Sequence, residues 1–137
     1  MHERLNRFYI DFRKVQFSVE WIRLYFFSAL YDIGYNERWI SMFEKDVFPV
    51  ICDEVRAYVG FAPLDGAPPS AAEIEFIWGL QAAIFYHGVR KHLFHVKVHQ
   101  DLETNVEMRV ANFLASAMSF YENLPSTTLP ARTAKKP

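Results

Sequence analysis

The stretch from Ser70 to Phe94 is the feature that most constrains how this chain folds. Ser70 precedes Glu73 by three residues, which is the spacing of a capping box at the start of a helix. Between Ile74 and Tyr86 almost every position is apolar, whichever helical face is considered. Because a surface helix carries a single apolar stripe, this helix is expected to be covered on two sides.

Small residues within this stretch indicate the close approach of another helix. They are Gly79, Ala82, Ala83 and Gly88. In a chain of this length, a second copy of itself is the most economical source of that helix. A bilayer span is not expected, because the apolar part is too short and is interrupted by acidic and amide residues.

The bulk composition excludes several classes of protein. The 137 residues are 51% hydrophobic and 17% aromatic, which suits one domain with a core or a lined pocket. The formal net charge of −1 gives no electrostatic footprint for nucleic acid. Cys52 is the only cysteine, so an internal disulfide is impossible and a reducing compartment is favoured. The first residues contain no signal peptide, and we expect a cytoplasmic protein without membrane contact.

The spacing of apolar residues predicts helices along most of the chain. They are expected over residues 2–16, 18–33, from Asn36 as the cap to about Val59, and 101–124. A proline inside the third of these, Pro49, removes a backbone hydrogen bond and predicts a kink. The sequence shows neither strand alternation nor an internal repeat. It therefore predicts an all-α antiparallel bundle of about five helices over residues 1–124, followed by a disordered polar tail over residues 125–137.

Four segments carry a resemblance to a known family. They are the EWIR–FFSAL helix, the N-x-R-W opening of the next helix, FPVICDEVR, and EIEFIWGLQAAIFY with its following glycine and arginine. Over residues 8–122 the chain resembles the C-terminal regulatory domain of TetR/AcrR-type transcriptional regulators. The resemblance implies a homodimer in which helices at about 70–94 and 101–124 pair with their copies in a four-helix interface. The other helices would enclose a small-molecule pocket, and ligand binding would shift the spacing of two DNA-binding heads.

Such regulators carry an N-terminal three-helix head, and Met1 falls just before the first regulatory helix. Residues 1–16 contain no recognition helix followed by a basic patch, so this chain is not expected to contact operator DNA. The sequence leaves open whether the head is lost by truncation or naturally absent. The expected dimer interface consists of residues on the two pairing helices, namely Ile77, Leu80, Ile84, Ala111, Leu114, Ala115 and Met118.

Aromatic residues on helices that should face one another indicate a pocket for an apolar or aromatic ligand. The cluster comprises Trp21, Tyr25, Phe26, Tyr31, Trp39, Phe43, Phe48, Phe76, Phe85 and Tyr86. A plain core remains the alternative for the group and is the commoner role for any single member. The expected ligand-binding residues are Trp21, Tyr25, Trp39, Phe43, Phe76, Gln81 and His87. Further polar side chains expected to point toward the pocket are Glu20, Arg23 and Cys52.

A run of histidines is a weak candidate for a metal site. His92, His95 and His99 fall at i, i+3 and i+7, with Glu103 four residues further on. On one continuous helix these side chains would suit zinc or nickel, but a turn is expected to interrupt the run. A solvated helix end is therefore the favoured reading, and we expect no metal and no cofactor. His87 stands alone on an apolar helix, where a satisfied core histidine is the commoner outcome.

No residue argues for catalysis. Cys52 lies beside Asp53 and Glu54, which should raise the pKa of its thiol, and the sequence contains no Gly-rich phosphate loop. We expect a binding domain and not an enzyme. Two alternatives stay open. One is a headless helical module that heterodimerises with related regulators. The other is a helical metal-dependent enzyme using the histidine run.

Overall fold

The computed structural model describes residues 1–16, 18–125 and 129–133. Regular secondary structure in these ranges is entirely helical, which confirms the all-α class. The helices are α1 (His2–Gln16), α2 (Val19–Leu30), α3 (Tyr35–Met42), α4 (Phe48–Val59), α5 (Ala71–His92) and α6 (Leu102–Glu122), with a π-helical segment at Phe43–Val47. The segment joins α3 to α4 without a break, so these elements correspond to the one helix predicted up to Val59.

The start of α5 follows the predicted capping box. The Ser70 hydroxyl accepts a hydrogen bond from the Glu73 backbone N–H at 3.4 Å, and the Glu73 carboxylate accepts one from the Ser70 N–H at 2.9 Å. The start of α3 differs from the prediction. Gly34, with a φ of 76°, occupies the capping position, and the Asn36 side chain instead donates to the Tyr25 carbonyl at 2.9 Å. Asn36 therefore ties α3 to the preceding helix.

The predicted disturbance at Pro49 takes the form of a change in helical register. The backbone N–H of Phe48 bonds to the carbonyl of Phe43, five residues earlier. Pro49 has no N–H to donate, and it falls within the first turn of α4, where helical N–H groups lack intrahelical partners in any case. The wider π turn thus lets the chain pass the proline, and both phenylalanines are buried.

The core forms around α5, which contacts α2, α4 and α6, while α1 packs on α6. The chain itself thus supplies the two-sided cover predicted for α5. Four of the residues expected at a dimer interface lie in this core, with exposures of 0–5%, and they are Ile77, Leu80, Ile84 and Leu114. Side chains of the same chain cover them, and the interface itself stays a prediction. Ala111, Ala115 and Met118 are exposed on α6.

The loop after α4 pairs with residues near the C-terminus. The Ala62 N–H donates to the Ala131 carbonyl at 2.6 Å, and the Thr133 N–H donates to the Gly60 carbonyl at 3.0 Å. Arg132 lies over the ring of the buried Phe61, 4.9 Å from its centroid. These contacts differ from the disordered tail predicted for residues 125–137, since backbone pairing holds residues 131–133. Residues 126–128 and 134–137 lie outside the described ranges.

Two glycines of α5 generate a test of this packing. A Cβ added at Gly88 would lie 2.7 Å from Arg13 Nη2 and 3.1 Å from Ile22 Cδ1, whereas one added at Gly79 meets nothing within 4 Å. Arg13 has little freedom to move, because it is 4% exposed and its Nη1 donates to the Ile84 carbonyl at 2.6 Å.

We predict that Gly88→Ala lowers the free energy of unfolding by about 1–3 kcal/mol through overpacking. Gly79→Ala should raise it by about 0.5–1 kcal/mol, because alanine loses less backbone entropy in a helix. Urea denaturation of the two variants measures both effects. A Gly88→Ala protein as stable as the parent would contradict the described approach of α1 and α2 to α5.

Candidate functional site

A cavity of about 110 Å³ lies where α2, α3 and α5 meet. We call it the aromatic pocket, and its lining residues are Trp21, Tyr25, Trp39, Trp78, Gln81, Ala82 and Phe85. Each of its five rings is half-buried, so the pocket is accessible from solvent. The residues from one helix share a face because positions three and four apart lie above one another.

Ring-to-ring contacts hold the walls of the aromatic pocket in place. Trp21 stacks on Tyr25 with centroids 5.1 Å apart, and it meets Trp39 edge-on at 5.5 Å. Tyr25 meets Phe85 at 5.5 Å. These separations lie in the favourable range for aromatic pairs. The contacts tie α2 to both α3 and α5.

Two of the residues that α5 contributes to the aromatic pocket carry polar groups. Gln81 is 6% exposed, and its side-chain oxygen Oε1 is buried without a hydrogen-bond partner in the described part of the chain. The indole Nε1 of Trp78 donates to Glu44 Oε1 at 2.9 Å. A buried acceptor without a donor carries a desolvation cost. Because Gln81 Oε1 is buried from solvent, the surface that the pocket offers a ligand is chiefly aromatic.

Four of the seven predicted ligand-binding residues line the pocket, and they are Trp21, Tyr25, Trp39 and Gln81. Phe43 lies behind the pocket wall, 1% exposed and 5.2 Å from the Trp39 ring. Phe76 lies on another side of α5, where its ring stacks 4.4 Å from Phe113 and 4.1 Å from Phe120.

Trp78 and Phe85 line the pocket but are not among the predicted ligand-binding residues. Both lie on the α5 face of Gln81, three residues before it and four after it. That spacing is the sequence signal that identifies them. The other expected contributors, Glu20 and Arg23, are exposed on α2 and do not line the pocket.

His87 also lies outside the pocket. It is 3% exposed, and its Nε2 lies 3.0 Å from the Gln100 carbonyl, to which it donates in the Nε2–H tautomer. Burial lowers the pKa of His87, and nearby positive charges, Arg13 first, lower it further against the opposing effect of the Gln100 carbonyl. His87 is thus a satisfied, neutral core histidine near pH 7.

A buried polar cluster that the sequence does not reveal surrounds Glu73, which is 1% exposed. Its carboxylate accepts hydrogen bonds from Arg56 Nε at 2.7 Å, Arg56 Nη2 at 3.0 Å and the Tyr121 hydroxyl at 2.9 Å. It also accepts from the Ser70 hydroxyl at 2.8 Å. Burial alone would raise the pKa of Glu73, but the hydrogen bonds from Arg56 and Ser70 outweigh it and hold the pKa at about 2.

Cys52 belongs to the same cluster. Its thiol donates to Glu73 Oε1 at 3.2 Å, and the residue is 1% exposed. Burial, followed by the Glu73 charge, raises the pKa of Cys52 to about 12. The direction matches the sequence prediction, but the carboxylate responsible is Glu73 and not the neighbouring Asp53 or Glu54. A protonated thiol of this kind is a structural donor and not a nucleophile.

The histidine run is divided between two elements. His92 ends α5, whereas His95, with a φ of 54°, and His99 lie in the segment before α6. Within the described ranges, no three His, Cys, Asp or Glu side chains are grouped so that they could hold a metal ion. None of the helices described there combines the length and apolar character that a bilayer crossing requires.

Comparison of the chain with family models, curated proteins and solved structures finds no match. The family resemblance of the sequence therefore stays a prediction.

The Glu73 cluster yields a mutational prediction. Glu73→Gln should lower the free energy of unfolding at pH 7 by about 3–5 kcal/mol, because it removes the charge that Arg56 pairs with in a buried setting. The control is Glu37→Gln, an exposed carboxylate on α3, which should change stability by less than about 0.5 kcal/mol. Urea denaturation distinguishes the two, and equal effects would contradict a stabilising role for the buried pair.

The depressed pKa of Glu73 also predicts a pH dependence. A carboxyl with a folded-state pKa of about 2, against an ordinary value of 4.5, stabilises the fold above about pH 4.5 and loses that contribution as the pH falls toward 2. The stability gap between the parent and Glu73→Gln should be constant from pH 7 to about pH 5 and shrink below it. Urea titrations at several pH values measure the gap, and an undiminished gap at pH 2 would contradict this account.

Proposed function

We propose that this chain is the effector-binding and dimerisation domain of a TetR-like transcriptional regulator, acting in the cytoplasm by binding and not by catalysis. The observation that supports it is that two different faces of α5 line two different cavities. Trp78, Gln81 and Phe85 face the aromatic pocket, whereas Gly79 and Ala83 line a separate groove. At about 100° per residue these two sets occupy different faces of one helix.

The groove runs between α5 and α6, has a volume of about 340 Å³, and supplies the proposed dimer surface. Its lining residues are Glu75, Phe76, Gly79, Leu80, Ala83, Arg109, Asn112, Phe113 and Ser116. Small side chains allow two helices to pack at short interaxial distance. In a two-fold dimer the same surface meets itself, so α5 and α6 of each copy would form an antiparallel four-helix interface.

This surface revises the predicted interface. Ala111, Ala115 and Met118 are exposed on α6, but none of them lines the groove, and at about 100° per residue they lie on another face of that helix. On α5 the groove is lined by Gly79 and Ala83 together with the predicted interface residue Leu80. The rotation of α5 instead turns Ile77 and Ile84 into the core of the single chain.

The proposed mechanism is a population shift. A small apolar or aromatic ligand in the pocket would contact α2, α3 and α5 together and so favour one packing of these helices over another. The pocket also connects to the first helix, because the Phe12 ring of α1 stacks on Trp39 with centroids 6.1 Å apart. A DNA-binding head joined to α1 would receive the shift by that route.

We predict a homodimer at micromolar concentration, measured by light scattering. Gly79→Arg should give a folded monomer, because a Cβ added at this position meets nothing within 4 Å in its own chain, whereas the long side chain would obstruct a second copy. The matched control is Ala29→Arg, at an exposed position of α2 outside the groove, which should remain dimeric. A monomeric parent protein would overturn the proposal.

A further inference from the structure

A cavity of about 270 Å³ lies near the C-terminal end of α5, between that helix, the segment before α6 and the first turns of α6. We call it the basic cavity, and its lining residues are His87, Arg90, His99, Gln100, Asn105, Met108 and Arg109. Six of these seven residues carry polar side chains, and none of the seven is acidic. The two arginines approach the cavity from different helices, Arg90 from α5 and Arg109 from α6.

The charges of the two arginines have no counter-charge among the described residues. Neither Arg90 nor Arg109 forms an ion pair or a side-chain hydrogen bond there. The Nε atom of each is enclosed without a hydrogen-bond acceptor, and the terminal Nη groups are the guanidinium atoms that stay open to solvent. A partly enclosed guanidinium without an acceptor carries a desolvation cost, which a bound anion would offset.

The head of Arg90 is held by an aromatic ring and not by a carboxylate. Its Cζ lies 5.8 Å from the centroid of the Tyr86 ring, one turn earlier on α5. A contact of this kind cancels no charge and uses no N–H in a hydrogen bond. Arg90 is also one of the positive charges that lower the pKa of His87, so its charge acts on the cavity wall.

Asn105 supplies an independent observation. It is 3% exposed, and its side-chain amide forms no hydrogen bond in the described part of the chain. Since Oδ1 is enclosed, the amide reaches the cavity through Nδ2, which is a donor. Asp101, at the start of α6, does not line the cavity, and its carboxylate accepts from the Thr104 N–H at 2.8 Å and the Thr104 hydroxyl at 3.1 Å.

Donors that converge with two guanidinium charges are suited to an oxyanion. A guanidinium matches a carboxylate or a phosphate with two parallel hydrogen bonds. A phosphate monoester carries a charge of about −1.5 to −2 at pH 7, and a dicarboxylate is comparable. The volume of about 270 Å³ equals that of roughly nine water molecules in the liquid, which leaves room for a small organic body beside the anionic group.

We propose that the basic cavity binds a small organic dianion, a dicarboxylate or a phosphate monoester, through the Nη groups of Arg90 and Arg109 and through Asn105 Nδ2. This goes beyond the proposed function, because the cavity lies within one copy of the chain and needs neither the dimer nor the aromatic pocket.

The test compares two dianions with neutral counterparts of similar shape. Isothermal titration of the full chain at pH 7 and about 0.15 M salt uses succinate against succinamide, and glycerol 3-phosphate against glycerol. At least one dianion should bind about tenfold more tightly than its counterpart, or better, because hydrogen bonds to charged groups contribute at least that much. Binding of succinate alone or of glycerol 3-phosphate alone would support the site and identify the recognised group.

Single variants localise the binding. Arg90→Gln should weaken the dianion about tenfold or more. The matched control is Lys91→Gln, which removes the same charge from an exposed neighbour outside the lining and should change binding less than about twofold, since solvent and salt screen its charge. Arg109→Gln repeats the comparison from α6 and decides the matter if Arg90→Gln does not fold.

Three results would overturn the assignment of this cavity. They are no binding of either dianion, binding no tighter than that of the neutral counterparts, and equal weakening by Arg90→Gln and Lys91→Gln, which would show only general attraction to a basic surface. Light scattering of the parent protein separates this test from that of the proposed function. A monomeric parent that binds the dianion would uphold the basic cavity and remove the proposed dimer.

Discussion

The buried carboxylate of Glu73 is the constraint on which the helix arrangement depends. It joins Arg56 and Cys52 of α4, Ser70 at the start of α5, and Tyr121 of α6. An ionised carboxylate out of water costs several kcal/mol unless hydrogen bonds and an opposite charge compensate it. Packings of the three helices that would separate these groups therefore cost several kcal/mol.

The Glu73 cluster also determines which face of α5 lines the aromatic pocket and which face lines the groove. Ser70 and Glu73 occupy the first turn, so their contacts set the rotation of the helix from its N-terminus onward. With that rotation Trp78, Gln81 and Phe85 reach the aromatic pocket, and Gly79 faces the groove. A change of one residue in register would rotate α5 by about 100° and exchange these environments. The polar cluster and the two proposed functional surfaces are thus parts of one arrangement.

Local signals in the sequence predict the helices well. The capping box at Ser70 and the disturbance at Pro49 both depend on near neighbours in the chain. The sequence does not identify the dimer residues in the same way. An apolar pattern on every face of α5 cannot show whether the covering helices belong to the same chain or to a second copy. Ile77 and Ile84 read equally well as core and as interface, and only the packing of α4 and α6 decides between them.

The Glu73 cluster and the aromatic pocket likewise depend on contacts between helices, which the sequence pattern does not show. Glu73 is recognisable from sequence as a capping residue, but its pairing with Arg56 requires α4 to approach α5 across an intervening loop. Trp21, Tyr25, Trp39 and Gln81 could be selected for the pocket because aromatic content and helical periodicity are visible in sequence. His87 and Phe76 satisfy the same criteria and face elsewhere, since a helix so apolar gives little indication of its rotation.

The most direct test of this account is a double-mutant cycle on the buried pair. Urea denaturation of the parent, Arg56→Met, Glu73→Gln and the double variant gives the coupling free energy between the two side chains. If the pair holds α4 against α5, the coupling should be about 2 kcal/mol or more, with the double variant less destabilised than the two single changes together. Additive effects within about 0.5 kcal/mol would show that the two residues act independently, and would contradict the central place given to Glu73.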